Sequence, residues 1–522
     1  MMRIGIDVGG TNTDAVMMEG ARVLAAVKTS TTEDVTSGIV AALEALEGQR
    51  SFDAAEVQAV MIGTTHFTNA IVEARRVAPT AAIRLGLPAT RALPPMIDWP
   101  ERLASALGRN VYLCHGGHEF DGREISPLRP DEVRRAAQDA AAKGIRSVAI
   151  SSVFSPVNAE LEQLAAELVR EVIPDAEISL SHEVGRIGLL ERENATIVNA
   201  CLRELAAEIT DAFARSLASG GIEAPLYLSQ NDGTLMDIEY TRHYPVATFA
   251  SGPTNSMRGA AFLSGVLDCA VVDIGGTTTD VGMLQRGFPR EATAEVDIGG
   301  VRTNFRMPDV LSIGIGGGSR VRERGREVSI GPDSVGYRLT REALVFGGTT
   351  LTTTDIAVAA GIAEIGDRDR VAHLDPALVR AALARIASGV ADVVDRVRTS
   401  AAPLPVIAVG GGSILVPDQL EGAAAVHRPE HFAVANAIGA AIAQVGAEVD
   451  RIVPVSPGSR ERLLDDAKQE AVDRAIAAGA RPGTVEIFEV DEVPIAYLPG
   501  NATRIRVKAV GELQLAREAA HA

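Results

Sequence analysis

The sequence predicts a two-lobe α/β protein. Three observations carry that prediction: a glycine-rich hairpin motif that occurs twice, a later glycine turn after another apolar strand, and apolar strands alternating with alanine-rich amphipathic helices. The first hairpin reads Ile4-Gly5-Ile6-Asp7-Val8-Gly9-Gly10-Thr11-Asn12-Thr13-Asp14, with apolar residues following to Met18. The second reads Val271-Val272-Asp273-Ile274-Gly275-Gly276-Thr277-Thr278-Thr279-Asp280, again with apolar residues beyond. Between Asp7–Asp14 and Asp273–Asp280, six of eight positions are identical. Each copy reads as strand, tight turn, strand, so each lobe receives one hairpin.

The remaining elements follow in order. Helices are predicted over 131–143 and 159–172, before strands at 148–150 and 178. A glycine turn spans 313–319, a helix spans 375–398, and the strand 405–409 runs into Gly410-Gly411-Gly412-Ser413. A small-residue helix over 432–447 is expected to fold back and close the first lobe. Beyond it come a charged helix near 459–478 and strands at 484–490 and 505–509. The expected division is a first lobe over 1–180, a second over 181–450, and a small α/β extension over 451–522.

Composition narrows the function classes. The 522 residues are 46% hydrophobic and 23% charged, enough for more than one core and too apolar for disorder. A net charge of -18 argues against a general nucleic-acid or anionic-membrane binder, since both need basic surface. Cys114, Cys201 and Cys269 lie too far apart in sequence for a disulfide framework or a paired-cysteine metal knuckle. The opening residues run straight into a strand without an apolar leader pattern, so a cytoplasmic location is expected. The apolar run 432–447 carries Asn436, Gln444 and glycines and is short for a bilayer span, which favours a buried helix.

Glycine turns let backbone N–H groups approach phosphate oxygens, because no Cβ stands in the way. Gly9, Gly10, Thr11, Asn12 and Thr13 on one hairpin, and Gly275, Gly276, Thr277 and Thr278 on the other, are the candidate nucleotide-binding residues. Carboxylates beside such turns repel bare phosphate, so Asp7 and Asp273 are read as holders of Mg²⁺ between protein and nucleotide. Asp7, Asp273, Thr11 and Thr277 are the candidate catalytic residues. Gly410, Gly411 and Gly412 offer flat backbone to an adenosine. Neither a Walker loop nor a dinucleotide fingerprint is present. The combination resembles the actin-like ATPase superfamily, in which two ribonuclease-H-like lobes close on ATP and a divalent metal.

A narrower resemblance lies outside these turns. Gly63-Thr64-Thr65-His66-Phe67-Thr68-Asn69-Ala70 looks like the Gly-Thr-Thr-x-x-Thr-Asn-Ala signature of the hydantoinase A/5-oxoprolinase family. Ser181-His182-Glu183, Glu193 to Thr196, Asn199-Ala200, Asn231-Asp232-Gly233, Ser251-Gly252-Pro253 and the 312–319 turn resemble further landmarks of that family, in the same order. The resemblance runs from about Arg3 to about Gly439. It departs after Asp450, and at Gly331–Tyr337, where the family's Pro-Gly-Pro-x-Cys-Tyr stretch has lost its cysteine.

The resemblance implies an ATP-binding subunit that activates the carbonyl oxygen of a cyclic amide such as hydantoin or 5-oxoproline by phosphoryl transfer. It further implies a separate hydantoinase B-like subunit for hydrolysis, so the isolated chain is expected to open rings poorly; an oligomer is also expected. Two rivals stand beside it: a small-molecule kinase, and a non-catalytic ATP-switched scaffold. Thr64, Thr65, Thr68, Asn69 and Glu183 are the candidate substrate residues. The threonine-rich stretch also suits a helix cap, and Glu183 and Glu193 also suit pairing with Arg186 and Arg192. His66 reads as a neighbour of the site. Cys114, His115 and His118 read as a structured loop, since no second ligand pair accompanies them.

Overall fold

Two mixed sheets form, each around one copy of the hairpin. The computed structural model describes residues 2–10, 12–30, 35–292, 295–325, 327–497 and 500–515. The first sheet begins with β1 (Met2–Val8), β2 (Asn12–Glu19), β3 (Arg22–Ser30) and β4 (Val57–Thr64). An all-parallel sheet of β5 (Thr80–Leu87), β6 (Asn110–His115), β7 (Ser147–Ser152) and β8 (Glu177–Leu180) follows, with helices Pro130–Ala142 and Glu160–Val172 in its crossovers. The chain then returns to the first sheet through β9 (Leu226–Ser229) and β10 (Thr234–Asp237).

The second lobe holds β11 (Cys269–Ile274), β12 (Thr279–Gln285), β13 (Phe288–Pro289) and a two-stranded ribbon, β14 (Val296–Ile298) with β15 (Val301–Thr303). β16 (Val310–Ile313), β17 (Ser319–Arg324), β18 (Glu327–Ser334), β19 (Leu404–Val409) and β20 (Ala423–His427) follow. Finally β21 (Gln444–Pro454), β22 (Glu486–Pro494) and β23 (Ala502–Gly511) extend the first sheet.

Both sheets share one strand order. In the first it runs β3-β2-β1-β4-β9, and in the second β13-β12-β11-β19-β20. In each, a hairpin pairs antiparallel with the central strand, and two later strands add in parallel on its other side. These are two ribonuclease-H-like lobes, the arrangement of the actin-like ATPase fold. β4 is buried at all eight positions, as a central parallel strand covered on both faces requires. One cover is the helix Leu189–Ser219, whose Ile197, Leu202 and Phe213 share a core with Ile4, Ile6 and Ile62.

The expected boundaries at 180 and 450 do not separate the sheets. β9 and β10 lie beyond 181 yet belong to the first sheet, and β21 to β23 continue it past β10. The helix Arg460–Ala477 packs Ala467, Ala471 and Ala475 against Ile505 and Val507, so the tail is part of this layer. The helix expected over 432–447 is also shorter. A 3-10 turn, Phe432–Val434, leads into a helix at Ala435–Ala441, and β21 starts at Gln444. The reason is spatial: a Cβ on Gly446 would come 2.5 Å from Thr234 Cγ2, so this small residue serves a tight strand pairing.

The short helix does pack on the first lobe, against β1, as expected. It also crosses the helix Ser251–Ser264 at glycine contacts. A Cβ on Gly259 would lie 1.9 Å from Ala435 O, and one on Gly439 would lie 1.8 Å from Asn255 O. Cys114, Cys201 and Cys269 are buried free thiols. Among the described residues no helix is long and apolar enough to cross a membrane.

Candidate nucleotide site

Each hairpin turn is closed by the same backbone bond. Gly9 N–H donates to Asn12 O at 3.1 Å, and Gly275 N–H to Thr278 O at 2.9 Å. Register then sets the carboxylates: Asp7 faces Asp14 across the first hairpin, and Asp273 faces Asp280 across the second. The parallel neighbour brings another segment to the same sheet end, where open α/β sheets take ligands. In the first lobe Asp7 is beside Gly63 and Val8 beside Thr64. In the second, Asp273 is beside Val409, just before Gly410.

The Gly-Thr-Thr segment and the Gly-Gly-Gly turn therefore occupy equivalent slots in the two lobes. Both slots need glycine for the same reason. A Cβ on Gly63 would lie 2.4 Å from Asp7 Oδ1, and one on Gly410 would lie 2.2 Å from Asp273 Oδ1. Sequence reading found both motifs but not their equivalence. Gly63 lies at the end of β4 and Gly410 just after β19, the strands that pair parallel with β1 and β11.

The four carboxylates have different surroundings. Asp14 is ion-paired with Lys28 Nζ at 2.5 Å and accepts from Asn436 Nδ2 at 2.9 Å. Asp280 accepts from Ser312 Oγ. Asp7 accepts from Asn436 Nδ2 at 2.9 Å through Oδ2, while its buried Oδ1 has only the Asn255 amide beside it, without well-formed hydrogen-bond geometry. Burial, then the charge of Asp14, pushes the Asp7 carboxyl up to about 7, and Asp273 adds to the push from the other lobe. Burial also raises Asp273, and burial with Asp273 raises Asp280 to about 6. Two carboxylates from opposite lobes thus repel one another with no cation of the protein placed on Asp7. Asn436, which joins Asp7 to Asp14, was not singled out as a site residue in the sequence.

This arrangement fits a divalent cation and a polyphosphate. An orphaned buried carboxylate oxygen calls for a positive partner. Among the described residues no three His, Cys, Asp or Glu side chains are grouped to hold a metal alone, so water or phosphate oxygens would complete its shell. Room for phosphate is present, since a Cβ on Gly10 or Gly411 would meet nothing within 4 Å. Thr277 and Thr278 are exposed at the second turn. That turn is braced from behind: Gly317 N–H donates to Gly275 O at 2.9 Å and Gly318 N–H to Gly276 O at 2.7 Å. Thr11 lies outside the described residues.

Thr64 is buried, and its Oγ1 is 2.5 Å from His66 Nδ1. Burial and Arg76 push the His66 imidazole down to about 4, so it stays neutral at ordinary pH. Thr65 occupies the N-cap position of the helix His66–Glu73 but makes no side-chain cap bond; its hydroxyl accepts from Asn69 at 3.4 Å. Thr68 is half-buried and Asn69 exposed on the first turns of that helix.

Glu183 is not drawn into this constellation. It sits after β8 and accepts from Tyr244 Oη at 3.1 Å. Glu193 pairs with neither Arg186 nor Arg192. It takes Arg84 Nε at 2.7 Å and Ser151 Oγ at 2.6 Å, a buried structural ion pair. His115 is held by Glu132 at 2.9 Å, with His118 buried on the same glycine loop, and no metal cluster forms there.

Comparison with known proteins gives the family and the fold. The hydantoinase/oxoprolinase N-terminal region model matches residues 3–173, and the hydantoinase/oxoprolinase model matches residues 192–397. The acetophenone carboxylase gamma subunit of Aromatoleum aromaticum is 28% identical over 69% of this chain and 53% of its own length. The caprolactamase subunit alpha of Pseudomonas jessenii is 27% identical over 69% of this chain and 54% of its own length. The chain thus spans about half the length of the curated relatives it matches. Among solved structures, the ATP-dependent caprolactamase from Pseudomonas jessenii superposes with a TM-score of 0.79 at 20% identity, covering 98% of this chain and 88% of that one. Nucleotide-free acetone carboxylase gives 0.69 at 19% identity, with the same coverage. At such identities these two structures establish the fold.

Proposed function

The chain belongs to the hydantoinase/oxoprolinase family, and from that premise we propose that it is the ATP-binding subunit of an ATP-dependent enzyme acting on a cyclic amide of the hydantoin or 5-oxoproline kind. The observation that carries the reading is the facing pair Asp7 and Asp273, each on a glycine hairpin, with the Asp7 carboxylate lacking any cationic partner. In this reading Asp7 and Asp273 would hold Mg²⁺ through water, and the N–H groups of Gly10 and Gly276, next to the turn-closing Gly9 and Gly275, would receive phosphate oxygens. Gly410 to Gly412 back the adenosine. Thr64, Thr65, Thr68 and Asn69, in the equivalent slot of the first lobe, orient the amide.

Bound ATP would supply a transferable phosphoryl group, whose transfer to a lactam oxygen relieves the resonance that makes such carbonyls poor electrophiles. The chain's own part is positioning and charge neutralisation. It offers little for the water-dependent step. Burial pushes the Cys114 and Cys269 thiols up to about 12, and His66 is neutral and tied to Thr64. A second subunit is therefore part of the proposal, and relatives named as alpha and gamma subunits support it.

The test is ATP-dependent turnover of hydantoins, 5-oxoproline and larger lactams by the purified chain, with and without the product of a neighbouring hydantoinase B-like gene. Slow substrate-stimulated phosphate release alone, and efficient ring opening only with the partner, is the expected result. Accumulation of a stable phosphorylated product would instead establish a kinase, and ATP turnover indifferent to every lactam would reject the reading. A ketone-plus-bicarbonate arm belongs in the same assay, because two of the similar proteins are carboxylases.

A further inference from the structure

Where β13 of the second sheet meets β22 and β23 of the first, a cleft of about 320 Å³ opens. Its lining includes none of the hairpin-turn residues and reaches only the far end of β12, at Gln285. The wall gathers Arg186 from the turn after β8, Arg286 and Arg290 from the flanks of β13, and Arg504, Arg506 and Lys508 from β23. Only three carboxylates, Glu291, Glu489 and Asp491, line the same surface. In a chain of net charge -18, composition alone would give the opposite balance.

Several of these cations are already matched. Arg506 reaches Glu448, Glu489 and Asp491 at 3.1–3.2 Å, Arg504 Nε donates to Asp450 at 2.8 Å, and Lys508 Nζ is 2.7 Å from Asp232. Two arginines differ. Arg186 Nε is buried and donates to nothing, and the Glu291 carboxylate is 3.9 Å from its Nη2, too far for a hydrogen bond. Arg290 donates to Asp309 through Nε at 3.2 Å and through Nη2, and leaves Nη1 buried without an acceptor. A buried guanidinium N–H without an acceptor is costly, and a planar oxyanion is its natural complement.

We propose that this cleft binds a small oxyanion, a carboxylate or a phosphate, held by the guanidinium groups of Arg186 and Arg290 in its wall. The rings of Phe288 and Phe488, with centroids 4.3 Å apart, give the cleft an apolar wall beside its charged one. That wall suits an anion carried on a small organic body. Because Arg290 follows β13 of the second sheet and Arg186 lies beyond β8, the bound ion ties these two distant segments together away from the hairpin turns. The proposal is independent of the nucleotide reading.

The test is calorimetric titration of the purified full chain with inorganic phosphate and, separately, with succinate, at constant ionic strength. A non-hydrolysable ATP analogue with Mg²⁺ is kept present, so that phosphate does not report on the hairpins. Saturable binding of at least one anion is expected, weakened about tenfold or more in Arg186→Gln and restored only in part in Arg186→Lys. Preference for phosphate or for succinate then identifies which anion class the cleft takes. Without anion, Arg186→Gln should melt no lower than the native chain, because Arg186 is partly exposed and its nearest carboxylate, Glu291 at 3.9 Å, is beyond hydrogen-bond distance. Absence of saturable binding of either anion, unchanged affinity in Arg186→Gln, or a clearly lower anion-free melting temperature in that variant would each overturn the proposal.

Discussion

At the scale of single residues, Asp7 and Asp14 look interchangeable in the sequence, as both bracket the same glycine turn. The structure separates them through two groups that the local motif does not contain. Lys28 arrives on β3 and neutralises Asp14, and Asn436 arrives 429 positions after Asp7 to bridge the two carboxylates. The motif itself was legible because turn chemistry is local. The charge balance was not, because its determinants come from other strands. Asp7→Asn and Asp273→Asn should each weaken Mg²⁺-dependent ATP binding by about tenfold or more, the scale of a lost charge-assisted contact. The ligand-free Asp7→Asn chain should melt no lower than the native one, since its carboxylate is buried without a cation. Calorimetry and thermal melting read these separately, and unchanged ATP–Mg²⁺ affinity in both variants would remove the two aspartates from the site. Asn436→Ala has the reverse signature. It strips a shared donor from two carboxylates and should cost about 1–3 kcal/mol of stability in metal-free denaturant titrations, with the deficit narrowing when Mg²⁺ is added.

Among the elements, the helix Ala435–Ala441 shows what small residues are for. Hydropathy marks the run from Phe432 as buried and close-packed, and that much is correct. Hydropathy does not mark where helix gives way to strand, because alanine and glycine suit a close helix crossing and a tight strand pairing alike. Gly439→Ala should cost about 1–3 kcal/mol by overpacking against Asn255 O. Gly48→Ala provides the contrast. In the helix Val35–Gln49 its Cβ would meet nothing within 4 Å, and the change should stabilise by up to about 1 kcal/mol. Equal effects of the two substitutions on the denaturation midpoint would contradict this account of the crossing. The turn before β10 carries a pH-dependent tie to β23, where Lys508 Nζ meets Asp232 at 2.7 Å. Burial alone raises the Asp232 carboxyl, but Lys508 and the Thr234 donors outweigh it and hold it at about 2. A carboxyl whose folded value lies below its ordinary 3.8 contributes stability above that pH, and the contribution is lost as pH falls toward 2. Asp232→Asn should therefore cost about 2–3 kcal/mol at neutral pH, with the gap to the native chain closing below pH ~4. A gap that stays constant down to pH ~2 would show that the pair contributes no such linkage.

For the whole molecule, the duplicated hairpin announced two lobes, and both sheets repeat one strand order around it. What the sequence concealed is which distant strands each sheet recruits. Pairing between β10 and β21 rests on shape and burial between segments separated by the entire second lobe, and no local pattern records that. The tail past 450, read as a small extension, instead supplies β22, β23 and the last four residues of β21 to the first sheet. Deleting residues after Pro454 should consequently unfold or aggregate the first lobe, rather than trim an appendage. Amide exchange on the truncated chain provides the check, and native-like protection of β1 and β4 would show the tail to be dispensable.

The same stitching has a consequence for biosynthesis. As the chain leaves the ribosome, β9 and β10 can pair with what precedes them, but the outer edge of β10 has no neighbour until Gln444 emerges. Throughout synthesis of the second lobe the first presents an open strand edge, a template for pairing with other nascent chains. The second lobe draws all its strands from Cys269 to His427 and can finish before the first is closed. Vectorial synthesis thus completes the lobes in reverse of their order along the chain, and makes the half-built first lobe the species most in need of a chaperone.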